Sequence, residues 1–471
     1  MKDVIFADLC VIGAGAAGLS VAAGAAQLGV NVVLVEANEM GGDCLNTGCV
    51  PSKALLHVGH IAHQASKGAA LGISGLSPKS NYAAAMSYVQ SVIEGIAPID
   101  SVERFQNLGV HVIKARAQFI GPDQIEAGDN IVQAKRFVIA TGARASVPPI
   151  KGLSDLPYLT NETLFKGKAK PGHLLILGGG AVGLEMAQAH IRLGAKVTLI
   201  ERDVCLPTED RDMVAPILDQ LRAEGVTILE KCYVKSAEMV GRKVVLKTSK
   251  LDITGSHVLV ATGRQPNTET LGLEQANVVL DNGFVETDAR LRSSNKRIYA
   301  LGDVVRGAGS THGASYQAGI VIRNALFRLP AKQSLALMPR AVYTSPEYAR
   351  VGLNESEAVR ENIKYRVARW PFEENDRARA ESGTAGHVKV IITPGGKILG
   401  AAITGTMAAD LLTPWSLAMS NKLKLSAMAG VIVPYPTRSE AGKRAAGDFY
   451  GRKLFSARGR MVVKIINMLL P

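Results

Sequence analysis

The sequence predicts an α/β protein that contains two Rossmann-type units. Three observations carry this expectation. At 471 residues the chain is too long for one hydrophobic core. A unit made of strand, glycine turn, helix, strand and acidic residue occurs twice, with its parts in the same order. A β-rich stretch ending in Ala-Thr-Gly also occurs twice.

The first unit begins with the apolar run Leu9 to Ile12 and leads into Gly13-x-Gly15-x-x-Gly18. An Ala-rich helical stretch follows, then a second apolar run, Asn31 to Val35, ending at Glu36. Each part has a physical task. The first glycine permits a tight turn, the second lets backbone approach a pyrophosphate, and the third lets helix pack on strand. The helix N-terminus favours the anion through its N–H groups and dipole. The closing carboxylate accepts hydrogen bonds from a ribose diol.

The second unit carries Gly178, Gly180, Gly183 and Glu201. Gly178 stands 165 positions after Gly13, and Glu201 stands 165 after Glu36. The Ala-Thr-Gly echoes are Phe137 to Arg144, with Thr141 and Gly142, and His257 to Asn267, with Gly263. Two dinucleotide sites in one chain imply two cofactors that exchange electrons.

Composition narrows the classes. Apolar content of 47% and charged content of 20% describe an ordinary globular chain. The formal net charge is +13, but Lys and Arg are scattered, which argues against nucleic acid. No apolar stretch is long enough to span a bilayer. The start, "MKDVIFADLC", carries Asp3 and Asp8 and does not read as a secretory leader. Five cysteines without such a leader place the chain in a reducing cytoplasm.

Two of the five stand close together in "GGDCLNTGCVPSK", as Cys44 and Cys49. They admit three meanings: metal site, staple or redox pair. His57, His60 and His63 follow nearby. On a helix the eight positions from Cys49 to His57 span about 12 Å, whereas Zn–S and Zn–N bonds are about 2.0–2.3 Å. One ion cannot join them. A four-residue loop removes little unfolded-state entropy, so a staple gains little. Cys49 lies at the mouth of a helix, which favours the thiolate. The pattern points to a redox disulfide.

At this point the chain resembles the flavin-dependent pyridine nucleotide–disulfide oxidoreductases, among them dihydrolipoyl dehydrogenase, glutathione reductase and mercuric reductase. The resemblance rests on the first fingerprint, "GGDCLNTGCVPSK", "GGGAVGLE", "ATGRQPN", "RIYALGDV", "VYTSPEYARVGL" and "YPTRSE". It implies an FAD domain in two segments, 1–147 and 265–337, an NAD(P) domain at 148–264, and a C-terminal α+β dimerisation domain at 338–471. It implies a homodimer with an active site shared between subunits. Asp303 would meet the flavin's ribitol chain. The helix start at Thr311, with His312 and Ala314, would lie beneath the flavin ring.

The resemblance also assigns roles at the cysteines. Cys49 would face the flavin, Cys44 would meet substrate, and Lys53 would pair with Glu185 beside the hydride path. Electrons would pass from nicotinamide to flavin, then to the Cys44–Cys49 disulfide, then to a small external acceptor. Glu201 suits an NAD ribose and repels a 2′-phosphate, while Arg202 beside it suits NADP; the reading favours NADH over NADPH.

One position departs from the family. Where the thiol-reducing members carry a histidine general base, this chain has Tyr435, although Glu440 keeps the glutamate position. An unperturbed tyrosine has a pKa of about 10, too high for a base at neutral pH. Tyrosine here resembles mercuric reductases, yet no cysteine follows Cys232 to supply their terminal pair. The acceptor stays open: a disulfide, a thiol-bound metal ion or something similar. A diaphorase serving quinones, oxygen or metal ions without the dithiol is a second reading, and a redox-sensing or membrane-associated flavoprotein a third. The tail "YGRKLFSARGRMVVKIINMLLP" reads as a basic amphipathic helix suited to peripheral contact with an anionic membrane.

Overall fold

The computed structural model describes residues 2–73, 80–307 and 309–470; the side chains at 452 and 453, in the basic tail, lie outside what is described. The chain divides into two compact units. One is Met1–Arg202 with Lys231–Leu335, the other Asp203–Glu230 with Ala336–Pro471. No helix among the described residues is long and apolar enough to cross a membrane.

The first unit opens with β1 (Asp3–Ile12), α1 (Ala16–Gln27) and β2 (Val32–Glu36). β2 is buried along its whole length, as an apolar run in a parallel sheet should be. The short helix α2 (Gly42–Asn46) and the long helix α3 (Cys49–Lys67) follow. The strand β3 (Asn130–Ile139) pairs parallel with β1. Ile12 registers with Val35 on one side and Ile139 on the other, so three strand ends form one edge. In open α/β sheets, ligands bind beyond that carboxyl edge.

The second glycine fingerprint repeats this pattern. β4 (His173–Leu177) runs into α4 (Ala181–Arg192) and then β5 (Lys196–Ile200). β6 (His257–Val260) pairs parallel with β4 on its other side. The last helix that shapes the site is α5 (Thr311–Ala325). α3 and α4 pack closely: a Cβ added at Gly59 would stand 3.4 Å from the backbone of Ala189. The Tyr82 hydroxyl lies 3.1 Å from Nε2 of the buried His190 and supports the same face of α4.

The second unit holds an antiparallel sheet. Its order is Arg340–Val342, β7 (Glu347–Gly352), β10 (Ile398–Gly405), β9 (His387–Ile392) and β8 (Arg366–Pro371). Helix α6 (Glu440–Leu454) packs on β8 and β9. A terminal helix, α7 (Ala457–Leu469), follows. Trp415, Tyr348 and Phe372 fill the core.

The sequence reading put residues 203–230 in the 148–264 segment. In the structure they group with the C-terminal residues. Polar contacts account for it. Lys389 is 1% exposed, and its Nζ lies 2.8 Å from Asp210 and 2.9 Å from Asp212. It also pairs with Glu355. The ammonium thus stands among three carboxylates close enough together to hold a cation. Tyr348 donates to Glu209, and Thr404 Oγ1 donates to the Met213 carbonyl at 2.7 Å.

Candidate active site

The two fingerprints build the same object twice. Gly13 and Gly178 adopt φ of +104° and +111°, open to glycine alone at low cost. A Cβ on Gly18 would stand 1.8 Å from the Gly13 oxygen, and one on Gly183 2.0 Å from the Gly178 oxygen. The acids are anchored alike. Glu36 accepts the Ala14 N–H at 2.5 Å and the Asn38 N–H at 2.6 Å. Glu201 accepts the Gly179 N–H at 2.6 Å. Each carboxylate is therefore bound back to its own glycine turn.

A cleft of about 1430 Å³ in the first unit is lined by Gly15, Glu36, both cysteines, Lys53 and Glu185, among others. That exceeds the usual range for a drug-sized ligand and admits a dinucleotide. Gly15 is the N-cap of α1 and supplies no side-chain cap, which suits the first N–H groups of α1 to an anion. The donor set fits FAD: a close-approach glycine turn, a carboxylate at the end of β2 and an extended cleft that reaches the thiols.

Cys49 is the first residue of α3. Thr311, at the head of α5, holds both sulfurs. Its hydroxyl donates to Cys44 Sγ at 3.1 Å and lies 3.4 Å from Cys49 Sγ. The Cys49 thiol is brought down to about 6. The main cause is the hydrogen bond from Cys44; burial opposes it, and Thr311 and Lys53 add to the lowering. Cys44 is pushed well above the ordinary thiol range, because it donates to Cys49 and because it is buried. One thiolate and one thiol therefore share the site at neutral pH.

Lys53 lies one turn along α3 and meets Glu185 of α4, Nζ to Oε2 at 2.8 Å. Thr141, Gly142, Gly180, Gly263, Asp303 and Ala314 also line the cleft. Burial raises the Asp303 carboxyl while Arg264 lowers it. His312 is exposed, its Nε2 3.1 Å from Ser310 Oγ, and it is not part of the cleft wall. Arg202 is exposed. Tyr435 and Glu440 stand in the second unit. Tyr435 is exposed and donates to Asp376 at 2.8 Å; that bond, with the carboxylate's charge, raises its pKa further.

Sequence reasoning missed Thr311 as a thiol partner and missed the network around Asp43. Asp43 accepts from Thr47 at 2.6 Å and from Asn161 at 2.7 Å, and pairs with Arg264 at 3.0 Å. Arg264 also reaches Asp303 at 3.2 Å. The only signals were Asp43 directly before Cys44 and Arg264 directly after an Ala-Thr-Gly echo.

Fold and site together define a flavoprotein oxidoreductase with two dinucleotide sites and a thiol pair. Comparison with known proteins agrees. Residues 7–318 match the pyridine nucleotide-disulphide oxidoreductase model, and 338–446 match the dimerisation domain of that family. A mercuric reductase of Lysinibacillus sphaericus is 32% identical, covering 94% of this chain and 82% of the relative. A dihydrolipoyl dehydrogenase of Thermus scotoductus is 35% identical, covering 93% and 96%. The solved HOCl-induced flavoprotein disulfide reductase RclA of Escherichia coli, as a Cu(II) complex, is 28% identical with a TM-score of 0.83, covering 93% and 98%. The chain belongs to the pyridine nucleotide-disulphide oxidoreductase family and is an oxidoreductase; the family uses FAD and NAD(P)H.

Proposed function

We propose that this enzyme is an FAD-dependent NADH oxidoreductase whose Cys44–Cys49 pair delivers electrons to an external acceptor, a disulfide or a thiol-bound metal ion. The observation that carries the reading is the thiol pair inside the FAD-sized cleft, both sulfurs held by Thr311 at 3.1 and 3.4 Å, with the Cys49 thiol lowered at the head of α3. Bound in the cleft, FAD supplies the two-electron chemistry between nicotinamide and the disulfide.

The chain's own groups perform the rest. Gly15 and Glu36 hold the dinucleotide, and Thr311 positions both sulfurs. Reduction of the Cys44–Cys49 bond by two electrons and one proton leaves Cys49 as thiolate and Cys44 as thiol. With a disulfide acceptor, Cys44 loses its proton and attacks one acceptor sulfur, releasing the other as thiolate. Cys49 then attacks Cys44, restores the internal disulfide and releases the second thiolate. Tyr435 is a poor base for the first step, so acceptors that deprotonate Cys44 on binding, such as soft metal ions, suit this site.

NADH is the preferred donor because Glu201 directly follows β5, where a 2′-phosphate would meet its charge. The dimerisation match supports a homodimer. So does Ile432, 92% exposed near Tyr435, an apolar group a second copy would cover. A cytoplasmic setting supports the free-thiol state of the pair.

The deciding experiment is steady-state turnover with NADH and NADPH against glutathione disulfide, lipoamide, mercuric ion, cupric ion and quinones. Cys44→Ser and Cys49→Ser are run alongside. Turnover of one acceptor that falls at least a hundredfold in both variants supports the reading. Turnover that survives Cys49→Ser makes the enzyme a diaphorase instead, and a strong NADPH preference removes the nucleotide assignment.

A further inference from the structure

α7 starts afresh after α6. The Ser456 side chain accepts the Gly459 N–H at 3.2 Å and caps the new helix. None of its residues is buried. Met461, Met468 and Leu469 are 63%, 72% and 76% exposed. At helical periodicity Met461, Val462, Ile465, Ile466 and Leu469 form a broad apolar arc, entered only by Arg458 in the first turn, and Arg460, Lys464 and Asn467 occupy the opposite strip beside Val463. From Phe449 onward the sequence carries Arg452, Lys453, Arg458, Arg460 and Lys464 and no acidic residue. The dimerisation match ends at residue 446, before α7 begins.

We propose that α7 docks peripherally on an anionic lipid surface, its apolar arc in the headgroup layer and its cations against the lipid phosphates. Length excludes a span: 13 residues reach about 20 Å, short of the about 30 Å of bilayer hydrocarbon. Charge argues against a second copy of the same helix as occupant. A two-fold contact would bring the three cations of α7, with no acidic residue on the helix, against three more. An anionic membrane complements both the tail and the chain's net +13.

The test is co-sedimentation of flavin-loaded full-length enzyme with phosphatidylcholine vesicles, with and without phosphatidylglycerol. Three proteins are compared: the native chain, one ending at Phe455, and Arg458→Gln/Arg460→Gln/Lys464→Gln. The native chain should bind mixed vesicles, more weakly at high salt, and bind pure phosphatidylcholine poorly. Each surface cation strengthens attachment by about fivefold, so the triple variant should bind roughly a hundredfold more weakly. Its unchanged length keeps the result interpretable if the shortened chain folds badly. Equal partitioning of native and triple-variant enzyme overturns the proposal. So does a loss of dimer in light scattering by the shortened chain with vesicle binding unchanged, which would place α7 between copies.

Discussion

The Lys53–Glu185 pair is unequally buried: the lysine side chain is 37% exposed, the glutamate 3%. The two partners are thus unequal in what each leaves behind. Lys53→Met strips a cation from a carboxylate deep in α4. Glu185→Gln leaves an ammonium that water can reach. Breaking a buried pair costs about 3–5 kcal/mol, and an exposed one about 1 or less. Lys53→Met should destabilise the first unit by about 2–3 kcal/mol and Glu185→Gln by about 1, measured by denaturant unfolding of the flavin-free protein. Equal losses would show that the burial difference is irrelevant.

The thiol pair predicts a pH profile. Cys49 is lowered, so its thiolate is the major form at pH 7 and is lost as pH falls through about 6. Thiolate absorbance of the reduced protein should titrate there and vanish in Cys49→Ser. Because the Cys44 hydrogen bond is the largest cause, Cys44→Ala should move the midpoint upward. Thr311→Val should do the same to a smaller degree. An unmoved midpoint in Cys44→Ala would assign the shift to the helix and Lys53.

The twin glycine turns give separable lesions. Gly18→Ala puts a Cβ 1.8 Å from the Gly13 oxygen and should yield protein that retains little flavin. Gly183→Ala puts one 2.0 Å from the Gly178 oxygen and should retain flavin while KM for NADH rises at least tenfold. Flavin absorbance and steady-state kinetics read the two independently.

Tyr435 is the weak point for disulfide acceptors. Its hydroxyl donates to Asp376, and its pKa is raised, so it does not accept a proton near neutrality. Tyr435→His introduces a group with a pKa of about 6.5. General-base catalysis typically contributes 10²–10⁴-fold, so glutathione disulfide or lipoamide turnover should rise at least tenfold. No gain would mean that another group, or the acceptor itself, removes the Cys44 proton.

Lys389 predicts the acid behaviour of the second unit. Burial works against the charge of Asp212, but His387 at 3.6 Å and the hydrogen-bonded Lys389 ammonium hold its carboxyl below the usual range. A depressed carboxyl contributes stability that is complete above its unfolded pKa of about 3.9 and lost as pH falls below it. Lys389→Met should lower stability by about 3 kcal/mol or more at pH 7. It should also flatten the acid limb of the stability curve. Added calcium should recover part of the loss, because three carboxylates would then share one space without their ammonium.

What could be read from the chain was what repeats locally. The glycine turns and Glu36 and Glu201 announce themselves because a turn, a helix start and a strand end must follow within about thirty residues. Cys44 and Cys49 are legible because four residues separate them. Thr311 reads only as a helix start, since nothing local ties it to sulfurs 262 and 267 positions away. The same holds for Asp43 with Arg264, and for Asp210 with Lys389, which lies 179 positions further on. Such pairs are products of the fold, and their partners carry no shared spacing.

The split between the Cys44 and Cys49 pKa values also sets a stoichiometry. Above about pH 6, two electrons entering the disulfide bring only one proton with them. The midpoint potential should then fall by about 30 mV per pH unit, half the slope of a pair that takes up two protons. Reducing power at this outlet is thereby partly insulated from acidification of its surroundings.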